Sequence, residues 1–184
     1  MKQRLVKWLA AAVLAVGCTT LTAGAFTDTE NHWAASAINK WSQEYGIIQG
    51  YDDGTFRPDN SITRGAFAGI LDRFLHFQTT SPANTFSDTA GTYWEDAILK
   101  LHASGVYLGN QGKALSSSTI TRQQAVAMIG RAFNIAPETV SVSYADGGSI
   151  AEYALPYVAE FEAHGYLTDC ADGRFRPTDA ITRA

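Results

Sequence analysis

The tripeptide Ile-Thr-Arg stands at 62–64, 120–122 and 181–183, and this recurrence constrains the fold more than any other feature of the chain. An aromatic-x-Asp step precedes each copy, as Phe26-Thr27-Asp28, Phe86-Ser87-Asp88 and Tyr144-Ala145-Asp146. Between these marks lies a glycine with an aliphatic or aromatic follower: Gly46-Ile47-Ile48, Gly105-Val106-Tyr107 and Gly165-Tyr166-Leu167. Three marks in one order, at a period of about 60 residues, predict tandem copies of one supersecondary unit that share a core.

Each copy reads as helix, loop, helix. Ala34, Ala37, Ile38, Trp41 and Tyr45 form one apolar stripe at helical spacing. The stripe returns as Trp94, Ala97, Ile98 and Leu101, and more loosely as Ala154, Val158 and Phe161. Gly46, Gly105 and Gly165 are expected to end these helices, where a left-handed residue costs glycine least. Asp53-Gly54 and Asp172-Gly173 mark tight turns ahead of Phe56-Arg57-Pro58 and Phe175-Arg176-Pro177. The second copy carries Asn110-Gln111-Gly112-Lys113 instead, a diverged loop. Thr63 is expected to cap the second helix, with Phe67, Ile70, Leu71, Phe74 and Leu75 on its buried face. Thr121 with Gln124 has capping-box spacing, ahead of Val126, Ile129 and Phe133. Polar, proline-containing linkers at 78–84 and 137–143 separate the units.

The first 25 residues do not belong to this body. Lys2, Arg4 and Lys7 precede the apolar run from Trp8 to Val16, and Ala23-Gly24-Ala25 is an A-x-A cleavage site. That is the layout of a secretory signal peptide, and the run is too short to span a bilayer. The competing lipoprotein reading, through Ala15-Val16-Gly17-Cys18, lacks the usual large apolar residue three positions before Cys18. Removing the three leader cations from 14 Lys+Arg leaves 11 against 18 Asp+Glu. No basic arm or patch remains, which argues against a nucleic-acid partner. The mature chain keeps Cys170 alone, so its apolar core, not an internal disulfide, must hold it together.

Phe-x-Asp, His32-Trp33-Ala34, the run Gly50 to Pro58 and Ile62-Thr63-Arg64 together resemble the S-layer homology family signature. The resemblance spans Phe26 to Ala184. It is strongest in the first unit, good in the third and weakest in the second. It implies a mainly α fold with three helix-loop-helix repeats about a pseudo-threefold axis, at 26–85, 86–143 and 144–184. It also implies grooves that bind secondary cell-wall polysaccharide, often through a ketal-linked pyruvate. No cofactor is expected, and the location implied is secreted, at the cell wall or S-layer. The family's usual Thr-Arg-Ala-Glu departs here to Thr63-Arg64-Gly65-Ala66 and Thr121-Arg122-Gln123-Gln124. The sequence runs to Ala184, just past the third Ile-Thr-Arg. The third unit is therefore expected to be incomplete, which leaves room for a missing C-terminal domain.

The residues support a binding role on their own. An arginine in the first helical turn sits badly with the positive end of the helix dipole. Its presence at Arg64, Arg122 and Arg183 suggests a purpose beyond helix stability: a guanidinium beside helix N–H groups is a carboxylate site. The alternative pairs each arginine with Asp28, Asp88 or Asp146. Trp33 and Tyr93 are candidates to stack on a sugar ring, with cap or core packing as the alternative. Asp52 and Gly54 are candidates for sugar contacts, although turn formation alone accounts for them.

Other chemistries fit poorly. An EF-hand loop needs oxygen ligands at alternate positions, whereas Gln49, Tyr51 and Asp53 precede Gly54, and Thr168, Cys170 and Asp172 precede Gly173. His32, His76, His102 and His164 follow no metal spacing, and no Gly-x-Ser-x-Gly occurs. The rival function is the anchoring end of a larger surface enzyme, such as a glycan hydrolase or peptidase. Cleavage after Ala25 is expected to give a wall-associated protein beginning Phe26-Thr27-Asp28, checked by intact mass. A mass carrying diacylglycerol on Cys18 would establish the lipoprotein route instead.

Overall fold

The computed structural model describes residues 26–78, 83–138, 141–168 and 170–184. The expected leader, its cleavage site and Cys18 lie outside the described residues. So do parts of both linkers, at 79–82 and 139–140. Among the described residues the chain is mainly helical: α1 (Ala35–Asn39), α2 (Arg64–Leu75), α3 (Glu95–Ala103), α4 (Arg122–Ala132) and α5 (Leu155–Ala163). There is no strand among them, only isolated bridges, and no helix is long and apolar enough to cross a membrane.

The aromatic-x-Asp step turns out to be a backbone lock. Asp28 accepts the N–H groups of Phe56 and Arg57 at 2.8 and 2.7 Å. Asp88 holds Ala114 and Leu115 at 2.7 and 2.9 Å, and Asp146 holds Phe175 and Arg176, both at 2.8 Å. In each case the second residue held has a left-handed backbone, with φ of 57° at Arg57, 57° at Leu115 and 58° at Arg176. A non-glycine residue tolerates that region only when its surroundings fix it, and two charge-assisted bonds to adjacent amides do so. The second loop, expected to have diverged, keeps the same geometry because the lock reads amides and is indifferent to side chains.

The tripeptides close a ring. Ile62 N–H donates to the Ile181 carbonyl at 3.1 Å, Ile181 to Ile120 at 3.3 Å, and Ile120 to Ile62 at 3.0 Å. The helix starts extend the pattern. Arg64 and Gly65 donate to Ser118 and Ser116, Arg122 and Gln123 to Asp179 and Pro177, and Arg183 and Ala184 to Asn60 and Pro58. Amides otherwise orphaned at a helix start are thus satisfied by another unit's loop. Thr63 caps α2 as expected, accepting from Ala66 N–H at 3.2 Å. In α4, Gln124 Oε1 accepts the Thr121 N–H at 3.1 Å. Gly46, Gly105 and Gly165 take φ of 65°, 73° and 69°, so these three do turn left-handed where the first helices end.

Helix packing follows the same order, α2 against α3 and α4 against α5. Ile62, Ala68, Leu71, Ile98, Leu101, Ile120 and Met128 form the main buried cluster, and Val126, Ala154, Val158, Phe161 and Phe175 a second. The second unit swaps volume between two core positions. Ile48 and fully buried Phe56 in the first unit correspond to Tyr107 and Ala114 in the second, where the Tyr107 hydroxyl donates to the Ala114 carbonyl at 2.6 Å. α2 lies so close to Trp94 that a Cβ at Gly65 or Gly69 would overlap the indole carbons.

The first stripe departs from expectation. α1 ends at Asn39 and passes into a π turn at Lys40–Glu44, where Tyr45 N–H reaches back to Lys40. The wider turn breaks the stripe's register. Ala34 and Ile38 remain buried, while Ala37, Trp41 and Tyr45 are exposed. Trp41 meets the edge of Phe74 at 5.6 Å, and Phe74 meets Phe133 at 6.0 Å. Together they line an apolar surface groove, and Phe74 and Phe133, read as core positions, are exposed there.

Gly69→Ala is expected to lower stability by about 1–3 kcal/mol through overlap with Trp94. Helix propensity alone would favour alanine by up to about 1 kcal/mol, so a raised urea midpoint would contradict this packing. The locks also set an acid limit. The backbone N–H groups of Phe56 and Phe175 hold the Asp28 and Asp146 carboxyls below their ordinary value. At Asp88 burial opposes the Ala114 and Leu115 amides, and the amides prevail. Depressed carboxyls stabilise the fold fully above their unfolded pKa of about 3.9, and that stability is lost as pH falls through the folded values. The melting temperature should therefore fall steeply below about pH 4, and Asp88→Asn should show a shallower acid slope. An unchanged slope would count against the lock.

Candidate functional site

The three Ile-Thr-Arg arginines each reach into another unit's loop. Arg64, 8% exposed, donates Nε to the Ala114 carbonyl at 3.2 Å and lies over the Tyr107 ring at 4.7 Å. Arg183 donates Nε to Phe56 and Nη2 to Gln49, both at 2.8 Å, and lies over the Phe56 ring at 4.5 Å. Arg122 lies over Phe175 at 5.3 Å, with Nη2 3.2 Å from Cys170 Sγ. The aromatic platform comes from the loop in the first and third units and from Tyr107 in the second, the same volume exchange seen in the core.

Two sequence expectations need correcting here. The helix-start N–H groups at Arg64 and Arg122, and the matching N–H groups at Arg183, already donate to loop carbonyls, so they offer an anion nothing. Any acid contact must come from side chains, the guanidinium groups first among them. In the alternative pairing, Asp28, Asp88 and Asp146 are each engaged first by two backbone amides, and Asp28 acts on Arg183 only through its charge. The arginines are latches between units as well as groove-lining groups.

Two grooves run between units with matching walls. The first, about 300 Å³, is lined by Arg183, Arg73, Tyr93, Tyr51 and Ala66. The second, about 430 Å³, presents Arg64, Arg131, Tyr153, Asn110 and Gln124 at the corresponding positions. Arg73 and Arg131 each stand nine residues after the tripeptide arginine on their helix, and Tyr93 and Tyr153 each stand two residues before a first helix. Sequence reasoning missed Arg73, Arg131 and Tyr153, although laying α2 on α4 brings the two arginines into one column. A third cavity places Trp33, 81% exposed, with Arg122 and Thr182.

Among the residues singled out from sequence, the structure thus brings Arg183 together with Tyr93, and Arg122 with Trp33. Tyr93 is 80% exposed and braced edge-on against Trp94 at 4.5 Å. Asp52 and Gly54 lie in an exposed turn outside these cavities, and Gly54 takes φ of 79° there. The neighbouring Asp53 is pushed down to about 2 by the Thr55 hydroxyl and N–H, with Arg57 next. Arg57 bonds Asp53 at 2.7 Å and stacks on Tyr51 at 4.0 Å, the ring that Arg183 also faces.

Comparison with known proteins bears on the family. The sequence profile of the S-layer homology domain matches residues 25–68 and 143–184. The intervening region is unmatched, yet it carries the same carboxylate lock at Asp88. Cell surface glycoprotein 1 of Acetivibrio thermocellus is 34% identical over 160 residues, which is 75% of this chain and 7% of that protein. The cellulosome-anchoring protein of the same organism is 35% identical over 114 residues, covering 59% of this chain and 25% of the relative. The amylopullulanase of Thermoanaerobacterium thermosulfurigenes is 25% identical over 165 residues, 86% of this chain and 9% of that protein. The chain therefore spans a quarter or less of the length of these relatives. With the repeated locks and both matched regions in hand, this chain carries S-layer homology domains and belongs to that family.

Proposed function

We propose that the chain is a non-catalytic anchor that holds an exported protein at the bacterial cell wall or S-layer by binding secondary cell-wall polysaccharide. The reading divides it into units at 26–85, 86–143 and 144–184, set about a pseudo-threefold axis. The observation that carries it is the recurrence, in two grooves, of two arginines and one tyrosine at matching positions. Guanidinium groups with an aromatic wall suit an acidic sugar: the fork meets a carboxylate on two bonds while the ring covers an apolar sugar face. The closed ring of isoleucine bonds supports the axis. The relatives named for the cell surface and for anchoring the cellulosome support the location. The net negative charge of the chain is no obstacle, because local donors outweigh a screened repulsion.

A ketal-linked pyruvate is the acidic group proposed. A second reading makes the chain the anchoring part of a larger surface enzyme, favoured by relatives such as the amylopullulanase and an endoglucanase of a Bacillus species. Reading the gene on either side of this segment decides that point.

Arg64 and Arg183 are unsuited to a binding test because they also latch the units. The double variant Arg73→Gln, Arg131→Gln should stay folded, with a melting temperature lowered only by the lost Arg73–Ile47 bond, and lose at least about tenfold in affinity for purified wall polysaccharide. Each charge-assisted bond contributes about 1.5–3 kcal/mol, and about 1.4 kcal/mol is tenfold. Lys40→Gln, in the exposed π turn after α1, is the control for bulk charge and should bind as wild type. Removing pyruvyl groups should weaken wild type to the level of the double variant. Undiminished binding to the stripped glycan would leave only loose wall adhesion.

A further inference from the structure

We propose that the two grooves divide the work: the Arg64–Arg131–Tyr153 groove takes an anionic sugar substituent, whereas the Arg183–Arg73–Tyr93 groove takes the neutral, apolar face of a neighbouring sugar. This rests on the wall-glycan reading above and goes beyond it, since the repeat alone would make the grooves equal.

The difference lies in how many guanidinium donors are already engaged. In the first groove Arg183 donates to both Phe56 and Gln49 and has its faces against Phe56 and Tyr51 at 4.5 and 4.9 Å. Arg73 there donates Nε to the Ile47 carbonyl at 2.7 Å. In the second groove Arg64 donates to Ala114 and lies over the Tyr107 ring at 4.7 Å, so the freer guanidinium there is that of Arg131. Arg131 is partly exposed; among the described residues it meets only the rings of Tyr153 and Tyr157, at 5.9 and 5.5 Å. Both arginines act on the Tyr153 hydroxyl, opposing the upward push of burial on its ionisation, which places two cations around one point. A carboxylate or phosphate there meets the guanidinium fork of Arg131, with the charge of the buried Arg64 beside it.

The walls differ in the same direction. Where the first groove has Tyr51 and Ala66, the second has Asn110 and Gln124. Gln124 Oε1 accepts the Thr121 N–H and its side chain also bonds the Tyr153 hydroxyl, so it holds that ring in the groove wall. The first groove also holds Tyr93, 80% exposed against 45% for Tyr153 in the second, an open ring suited to stacking on sugar carbons. The second is also the roomier, at about 430 against 300 Å³, as an added acidic substituent requires.

The test compares Arg131→Gln with Arg73→Gln in the whole chain, by calorimetry against purified wall polysaccharide and against three small probes. The probes are the pyruvyl ketal of a methyl hexoside, a hexose phosphate and the plain methyl hexoside. Melting curves confirm that both variants fold. Arg131→Gln should lose at least about tenfold on the polysaccharide and on whichever acidic probe binds, and Arg73→Gln less than about threefold. Arg131→Lys should recover part of the loss. Ketal binding without phosphate binding identifies a carboxylate as the group taken, and the reverse identifies a phosphate; either supports the division. Equal losses from Arg73→Gln and Arg131→Gln would overturn it while leaving wall binding intact. So would plain hexoside binding as well as both acidic probes. Wild type that does not bind the polysaccharide at all would overturn the anchoring reading and this inference together.

Discussion

Two amides held by one carboxylate, repeated at Asp28, Asp88 and Asp146, fix the loop geometry on which everything else is built. The lock forces Arg57, Leu115 and Arg176 into left-handed conformations that side-chain-bearing residues avoid. That kink turns the carbonyl of the next residue, at Pro58, Ser116 or Pro177, toward the start of another unit's second helix. The helix start then needs no acidic residue in its first turn, because the loop satisfies its amides. The position is left open to an arginine, whose charge the macrodipole disfavours but whose reach joins the units.

Function is built on this frame at small added cost. The latch arginines must lie at unit boundaries to reach the neighbouring loops, and the boundaries are where the grooves form. One guanidinium therefore both closes the fold and lines a site. A second arginine on the outer course of α2 or α4, and a tyrosine ahead of α3 or α5, complete each wall from elements already in contact. Helices α2 and α4 hold Arg73 and Arg131, which favours binding by limiting the freedom those groups lose.

Much of this was legible in the sequence, and what was missed has a common cause. Helix ends at Gly46, Gly105 and Gly165 and the cap at Thr63 were readable because a local backbone need selects the residue. The partners of Asp28, Asp88 and Asp146 were not, since a carboxylate that binds amides leaves no mark on the residues it holds. For the same reason the second loop seemed to have lost its structure when it had lost only side chains. Its missing phenylalanine had moved, as volume, to Tyr107, a compensation visible only once Ile48 and Phe56 are seen to touch the same core. The glycines of α2 announced nothing until Trp94 was found against them. Trp41 and Tyr45 fitted a helical stripe that a π turn then broke, because periodicity assumes a constant pitch.

The ring of isoleucine hydrogen bonds also governs timing. Of its three bonds, only the one between Ile62 and Ile120 can form before residue 181 has been synthesised. The closing contacts join positions far apart in the chain, so loop entropy must be met before they stabilise anything. While the first units wait, the Ile62 amide and the Asn60 and Pro58 carbonyls stay open to water, and Phe56 lacks the arginine that covers it. The first unit is thus the earliest made and the last completed.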